Sequence, residues 1–559
     1  MTAVAHREVE RKYEFPEGAE ARVDWSGLEG WTVSADPVEH RMEAVYHDTQ
    51  DMALGRRLVA LRRRRGGADD GWHVKFSGPG GRHEFQVPLL RTPDRMPASV
   101  RNLLAGLTGG QELRPVATLR TVRQVRTLSD STGAEVAELA ADVVEAVDER
   151  TGTERSWSEW EVELLDGTVP EERQEQIFAA VEAVVRAAGG TPSTSRAKIA
   201  RALGEEDGGT PVELEQEQQA ESTGTKGKRK KDTKGKDQGK KGKGKGRGKK
   251  GKKAGKEPGP DVLRAVLGEL AEQLVLWDLQ VRLDVPDAVH QMRVTSRSLR
   301  SVLKAAAPLL EGDAVEELDA GLRRLARALS EARDAEVTAE LMAGRVAELD
   351  GRVGPAEAEA LQRRAEEQAR TAAGKVRRHV TGREHLQLLA DVQDVAAAPP
   401  VTGECTRLSA REVSDVLVHR ALRKVVRVAE RVAEAEQAGG TEQAGGPQRL
   451  EHLHDVRKAV KRVRYVDAVL DRTGMRPGKQ LRRAARDAED YQDELGRIMD
   501  AAVLERWLAD TAGALRRTGE DRYAVGALHG AEVVRLRAGT DGGVDVVGVL
   551  LSQLREDLG

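Results

Sequence analysis

Cysteine is nearly absent from this chain of 559 residues. The single Cys405 excludes an internal disulfide framework and fits a reducing compartment. Aromatic side chains make up only 3%, too few for the stacking platforms of single-strand nucleic-acid binders. No run approaches the roughly 18–20 uninterrupted apolar residues of a membrane span, and the N-terminus, MTAVAHREVERKYEF, lacks the apolar stretch of a secretory signal. These absences predict a soluble, cytoplasmic protein with no membrane partner. A phosphate-cradling Gly-x-x-x-x-Gly-Lys-Ser/Thr loop is missing too. What the chain has in quantity is charge: 33% of residues are charged against 39% hydrophobic, and the net charge of −3 hides strong segregation.

The segregation divides the chain. Residues 1–204 carry short runs that alternate apolar and polar, such as EVERKYEF and WSEWEVELL, the period of half-buried strands. Residues 205–259 are first acidic and then a Lys/Gly tract, Lys226–Lys256, with seventeen Lys or Arg against two Asp. That tract is net +15 and leaves −18 on the remainder. It cannot bury enough apolar surface to offset its chain entropy and is expected to be a disordered linker. From 260 to 559 the pattern becomes long Ala/Leu/Val/Glu/Arg segments of helical period, punctuated by prolines. The predicted fold class is α+β multidomain: an antiparallel β-barrel, then an all-α helical bundle.

The helical half repeats itself. His290, Arg293, Arg297 and Arg300 return as His454, Arg457, Lys461 and Arg464, each shifted by 164 residues. Two related halves explain the match. On a helix those offsets fall within an arc of about 80°, and Lys304 extends the first stripe. Like charges so spaced destabilise a bare helix by a few tenths of a kcal/mol per pair. Two readings fit. The stripes are solvated faces bridged to carboxylates on neighbouring helices, or they line one groove for a linear polyanion such as polyphosphate. A metal reading of Glu451, His452, His454 and Asp455 has no second ligand set at a standard zinc spacing.

In the N-terminal half, residues i, i+2 and i+4 of a strand share a face. Glu8, Glu10 and Lys12 therefore point one way, with Val9 and Tyr13 opposite. Glu159, Glu161 and Glu163 likewise oppose Trp160, Val162 and Leu164. Arg62, Arg64, Lys75, Arg82 and Arg123 supply cations on further strands, and Glu138 and Asp142 add carboxylates of matching parity. A sheet with one wet side would look the same. A barrel with a polar interior would instead gather these groups into one lumen, where carboxylates hold Mg²⁺ or Mn²⁺ and guanidinium groups clamp phosphate oxygens. That equipment suits metal-assisted hydrolysis of a phosphoanhydride.

The motif order resembles the CYTH, or triphosphate tunnel metalloenzyme, family: Glu8-x-Glu10-x-Lys12, VYHDT at 45–49, Leu61–Arg64, Lys75, Arg82 with Glu84, Arg123, ELAAD at 138–142, Glu159–Glu163 and a late Lys198. The resemblance covers about residues 4–204. It implies an eight-stranded antiparallel tunnel that binds triphosphate with a divalent metal, Mg²⁺ or Mn²⁺. Carried over, Glu8, Glu10 and Lys12 would be catalytic. Glu8, Glu10, Asp142, Glu159, Glu161 and Glu163 would serve the metal. Lys12, Arg62, Arg64, Lys75, Arg82, Arg123 and Lys198 would bind phosphate. The helical half is similar to the CHAD family, through HQMRVTSRSLR, HDVRKAVKRVRY and the Arg333–Asp334 pair. This implies a two-lobed bundle binding polyphosphate through His290, Arg293, Arg297, Arg300, Lys304, His454, Arg457, Lys461 and Arg464. Ser296 and Ser298 flank Arg297 where the family is richer in Arg, and Met499 stands where a polar residue is expected, which points to weaker affinity.

Together these expectations describe a hydrolase of inorganic triphosphate or short polyphosphate, associated with polyphosphate granules. The alternatives are a non-catalytic polyphosphate-binding protein, or adenylate cyclase or thiamine-triphosphatase chemistry in the tunnel. Nucleic acid is expected to bind only non-specifically, through the Lys/Gly tract.

Overall fold

The computed structural model describes residues 5–15, 23–28, 30–67, 69–78, 81–166, 169–193, 195, 197–204, 258–349, 351–438 and 446–558. The linker expected at 205–259, with its Lys/Gly tract, falls almost wholly on 205–257, outside the described residues. The described residues fall into two compact units, residues 5–204 with 275–288, and residues 258–274 with 289–558.

The first unit is built on one antiparallel sheet. Its strands are β1 (Ala5–Glu8), β2 (Glu10–Glu14), β3 (Trp31–Val33), β4 (Val38–Asp48), β5 (Ala60–Arg65), β6 (Gly71–Gly78), β7 (Gly81–Pro88), β8 (Arg114–Asp130), β9 (Glu135–Asp148), β10 (Thr153–Leu164) and β11 (Thr191–Pro192). They are ordered β1-β7-β6-β5-β4-β8-β9-β10-β2-β11, with β3 on β8. The count is eleven where eight were expected, for a local reason. β1 and β2 are consecutive pieces of one N-terminal segment, parted at Val9, while β3 and β11 are short additions. Eight principal strands remain. The hydrogen-bonded path does not close on itself: β1 pairs with β7, β2 pairs with β10, and the Val9 carbonyl accepts from the Leu164 amide at 3.0 Å. The tight turn after β5 needs Gly66, at φ 79°, where a Cβ would collide with the Arg41 carbonyl.

Helices α1 (Ala98–Thr108), α2 (Glu171–Ala187) and α3 (Lys198–Ala202) belong to this unit. The core sits mainly outside the sheet: Tyr13, Leu139, Val162 and Leu164 pack their odd- or even-numbered outer faces on Ile177, Phe178, Val181 and Val185 of α2. A second apolar cluster lies on the inner face, where Tyr46, Leu119, Val144 and Trp157 meet Ala202 and Leu203 at the end of α3.

The second unit is helical, with the first part of α4 (Gly259–Arg282), whose residues from Val275 on fall in the first unit, followed by α5 (Ala288–Ala305), α6 (Asp313–Ala347), α7 (Pro355–Val380), α8 (Arg383–Ala397), α9 (Ala410–Ala438), α10 (Gly446–Arg472), α11 (Lys479–Glu489), α12 (Gln492–Thr518) and α13 (Tyr523–Leu558). Long Ala- and Leu-rich runs bury one stripe each, as Met342, Leu361, Leu504, Leu508 and Leu528 do in joining α6, α7, α12 and α13. Among the described residues, no helix is long and apolar enough to cross a membrane.

Candidate active site

Strand register, rather than sequence proximity, assembles the charged lumen. Across β8, β9 and β10, Arg123 stands opposite Asp142 and Asp142 opposite Glu159. One step along, Ala140 faces Glu161, and Glu161 faces Lys12. Further along, Glu138 faces Glu163, which faces Glu10. Ala140 leaves the space above it open, and Arg123 reaches across to Glu161 while binding Asp142 at 2.6 and 2.7 Å.

Apart from Glu159 and Ala140, these groups line a cavity of about 300 Å³. Among the described side chains, its wall holds seven basic groups, Lys12, Arg62, Arg64, Lys75, Arg82, Arg123 and Lys198, and seven carboxylates, Glu10, Asp69, Glu84, Glu138, Asp142, Glu161 and Glu163. Every residue expected to bind phosphate is therefore on one surface. Of the six carboxylates assigned to a metal, Asp142, Glu159 and Glu161 converge, with ligand oxygens within 4.8 Å of one another. Glu10 lies apart from that trio, held by Arg82 at 2.7 Å and Lys12 at 3.3 Å, and Glu163 lines the wall. Glu8 is placed by its backbone opposite Arg82, and its side chain lies outside the described set. Three buried carboxylates supply the hard oxygen donors that Mg²⁺ and Mn²⁺ require, so the trio fits a divalent cation.

The electrostatics follow from this crowding. Burial works against the charge of Glu161, yet Lys12, Lys198 and Arg123 hold its carboxyl well below the usual range. At Glu163 burial prevails over Lys75, and with Glu10 and Glu161 nearby its carboxyl is pushed up. Burial likewise opposes the charge on Lys12 and Lys198, and the surrounding carboxylates hold both ammonium groups firmly protonated. Arg62 keeps its charge against burial through Tyr46 and Glu84.

Trp157 and Asp69 are supporting residues that the sequence did not mark, whereas His73 alternates with Lys75 among the charged strand residues but has no specific role there. Trp157 donates its indole N–H to Glu159 at 2.7 Å. His73, fully buried, joins Glu84 at 2.7 Å through Nδ1 and the Asp69 carbonyl at 2.9 Å through Nε2. Asp69 pairs with Arg64. Trp157 and His73 do share strand parity with the expected residues, which was the available signal; Asp69 sits in a turn, where no periodicity applies.

In the helical unit the two basic stripes run along α5 and α10. His290 and Lys461 are buried, Arg293, Arg297, Arg300, Arg457 and Arg464 half-buried, and Lys304 exposed. The stripes are partly enclosed rather than wholly exposed. Arg300 does bridge to a neighbouring helix, at 2.9 Å from Asp319. The stripes also feel each other: Arg297 of α5 is among the cations that, after burial, Lys458 and Arg457, depress His454 to about 4. Burial and Arg300 of α5 likewise lower Arg462 of α10. His454 lies with Nδ1 at 3.2 Å from the Met499 sulfur. Ser296 and Ser298 are buried, and Ser296 donates to the Arg293 carbonyl at 2.9 Å, so neither interrupts the stripe. Among the described residues, Asp142, Glu159 and Glu161 are the one convergent group of three or more potential metal ligands, so Glu451, His452, His454 and Asp455 do not form one.

Comparison with known proteins agrees with this division. Residues 6–242 match the CYTH domain family and residues 265–509 the CHAD domain family. Uncharacterized proteins of two Mycobacterium tuberculosis strains are 29% identical over 551 residues, covering 94% of this chain and 93% of theirs. Among solved structures, the CHAD domain of the plant Ricinus communis aligns with 52% of this chain and 93% of its own, at 22% identity and a TM-score of 0.39. A Hippeastrum protein described as a candidate adenylyl cyclase with a dominant triphosphatase activity aligns with 35% of this chain and 95% of its own, at 18% identity and a TM-score of 0.25. The CYTH match supports a triphosphate tunnel metalloenzyme, a class of triphosphatases and cyclases, and the CHAD match supports polyphosphate binding.

Proposed function

We propose, for a chain that carries a CYTH domain followed by a CHAD domain, that it hydrolyses inorganic triphosphate or short polyphosphate with Mg²⁺ or Mn²⁺, and that its helical unit binds polyphosphate. The observation that carries this reading is the balance of the lumen, seven cations against seven carboxylates in one cavity. A bare triphosphate would meet as much repulsion as attraction there. A triphosphate entering with a divalent cation satisfies both sets, the cation on Asp142, Glu159 and Glu161 and the phosphate oxygens on the arginines and lysines.

When bound, the ion would neutralise phosphate charge and act as a Lewis acid toward a phosphoryl oxygen. The chain's own groups do the rest. Arg62, Arg64 and Arg123 offer planar N–H forks that match phosphate geometry. Lys12, Lys75 and Arg82 add charge along the wall. The apolar cluster around Trp157 and Leu203 keeps the inner end dry, which strengthens each of these interactions. The cavity accommodates a short phosphate chain, while the α5 and α10 stripes would hold a longer polymer in the cytoplasm or on its granules.

The test is phosphate release from tripolyphosphate, ATP, thiamine triphosphate and long-chain polyphosphate, with Mg²⁺ or Mn²⁺. Metal-dependent release from tripolyphosphate is expected, falling about a hundredfold or more in Glu161→Gln. Absence of release from all four, with polyphosphate still bound, would leave a polyphosphate-binding protein; cyclic AMP from ATP would make it a cyclase.

A further inference from the structure

Lys198 was expected on the phosphate side of the lumen, yet its ammonium sits among the carboxylates. It lies 3.0 Å from Asp142, 2.6 Å from Glu159 and 2.6 Å from Glu161, the three residues whose oxygens converge. A monovalent cation tethered to the chain thus makes the contacts a divalent ion would make. We infer that Lys198 is a built-in counter-cation of the metal site, which must withdraw its side chain for the metal to enter. This rests on the metal-dependent reading above.

The surrounding structure allows such a withdrawal without unfolding. α3 is anchored at its far end: Ala202 and Leu203 are buried in the inner apolar cluster, and Arg155 donates to the Ala202 carbonyl at 2.7 Å. Lys198 is the first residue of α3, and its flexible four-carbon stem can move the charge several ångströms while the helix stays docked. The cavity next to it is lined by Arg62, Arg64 and Arg123, where phosphate would lie. One side chain would then serve two states, balancing the carboxylates before the metal arrives and facing phosphate afterwards. Without it, Asp142, Glu159 and Glu161 would crowd three negative charges into a buried space, offset among the described residues by Arg123 and Lys12. Lys198 is in this sense a positioning residue, and it competes with the ion it prepares for.

The test is Mn²⁺ binding to the full chain by calorimetry at pH 8, without any phosphate compound, comparing wild type with Lys198→Met and Lys198→Arg. Lys198→Met is expected to bind Mn²⁺ about tenfold more tightly, since it removes a competing charge, while Lys198→Arg does not tighten binding. Equal or weaker binding by Lys198→Met would overturn the inference and leave the metal reading standing. No Mn²⁺ binding by any form would overturn both. A second measurement needs no variant. Reductive methylation of wild-type protein, read by mass spectrometry, should label Lys198 faster with Mn²⁺ present, with exposed Lys375 as the unchanged reference. Protection of Lys198 by Mn²⁺, or no change at saturation, would count against withdrawal.

Discussion

At the scale of single residues, the cations gathered on α5 and α10 act on the imidazole between them, and His454 records the result. Its imidazole is depressed to about 4 by burial, Lys458 and Arg457, partly countered by Asp455, with Arg297 adding to the depression. The sign of the linkage is fixed by that direction. Between the ordinary histidine value near 6.5 and about 4, the unfolded chain holds a proton that the folded chain does not, so this site costs stability as the pH falls through that window. A polyphosphate laid across the same cations would cancel their repulsion and let His454 take up a proton. Polyphosphate affinity is therefore expected to rise by up to about tenfold from pH 7 to pH 5, with the slope reduced in His454→Ala. Titration calorimetry across that range checks it. A rise undiminished in the variant would place the linked proton elsewhere.

At the scale of elements, the two faces of β10 do different work, and a substitution can separate them. Glu161 and Glu163 point into the lumen, while Val162 and Leu164 pack on α2 beside Phe178, over which the Arg11 guanidinium sits at 4.6 Å. Phe178→Ala removes a buried ring and should destabilise this unit by about 3–5 kcal/mol. The charged rows of the folded molecules would be left in place. Denaturant unfolding should show the loss, and phosphate release per folded molecule should stay near wild type. A loss of turnover without a loss of stability would mean that α2 shapes the lumen directly. This two-faced strand is also why so much was legible in the sequence. Period-two alternation alone assigns Glu10 and Lys12, Arg62 and Arg64, and Glu161 and Glu163 to a common face, because pleating leaves no other choice. What alternation does not contain is register. That Glu161 stands opposite Lys12, 149 positions away in the chain, and beside Arg123 follows from pairings between strands remote in sequence. The same limit hid the capture of Lys198 by carboxylates, since its five-residue helix comes after the last long strand and carries no periodic signal of its own. The helical stripes were legible for the opposite reason: a helix face is a local property, and the repeat at 164 residues displayed it twice.

At the scale of the whole molecule, the anion sites proposed for the two units rest on opposite electrostatic plans. With seven cations and seven carboxylates among its described side chains, the lumen is expected to need added divalent charge to hold a phosphate chain. The α5 and α10 stripes are cation-rich, with Arg300 bridged to Asp319, and are expected to hold polyphosphate with no metal at all. Chelation is then expected to separate the two functions in one sample. With EDTA in excess, phosphate release from tripolyphosphate should stop, while retention of long-chain polyphosphate persists and weakens steeply as salt rises, because the stripe interaction is largely screened Coulomb attraction. The converse variant is Arg297→Glu with Arg457→Glu. It should lower polyphosphate retention by about tenfold or more, since each exchange reverses a half-buried charge, and leave metal-dependent tripolyphosphate release close to wild type. Both arms are read by filter retention of labelled polyphosphate beside a phosphate assay. If EDTA releases polyphosphate as fully as it stops hydrolysis, the polymer is held through metal in the lumen, and the stripes are structural. If the double variant abolishes hydrolysis of tripolyphosphate, a substrate too short to need the stripes, the two sites are coupled in function and cannot be assigned separate roles.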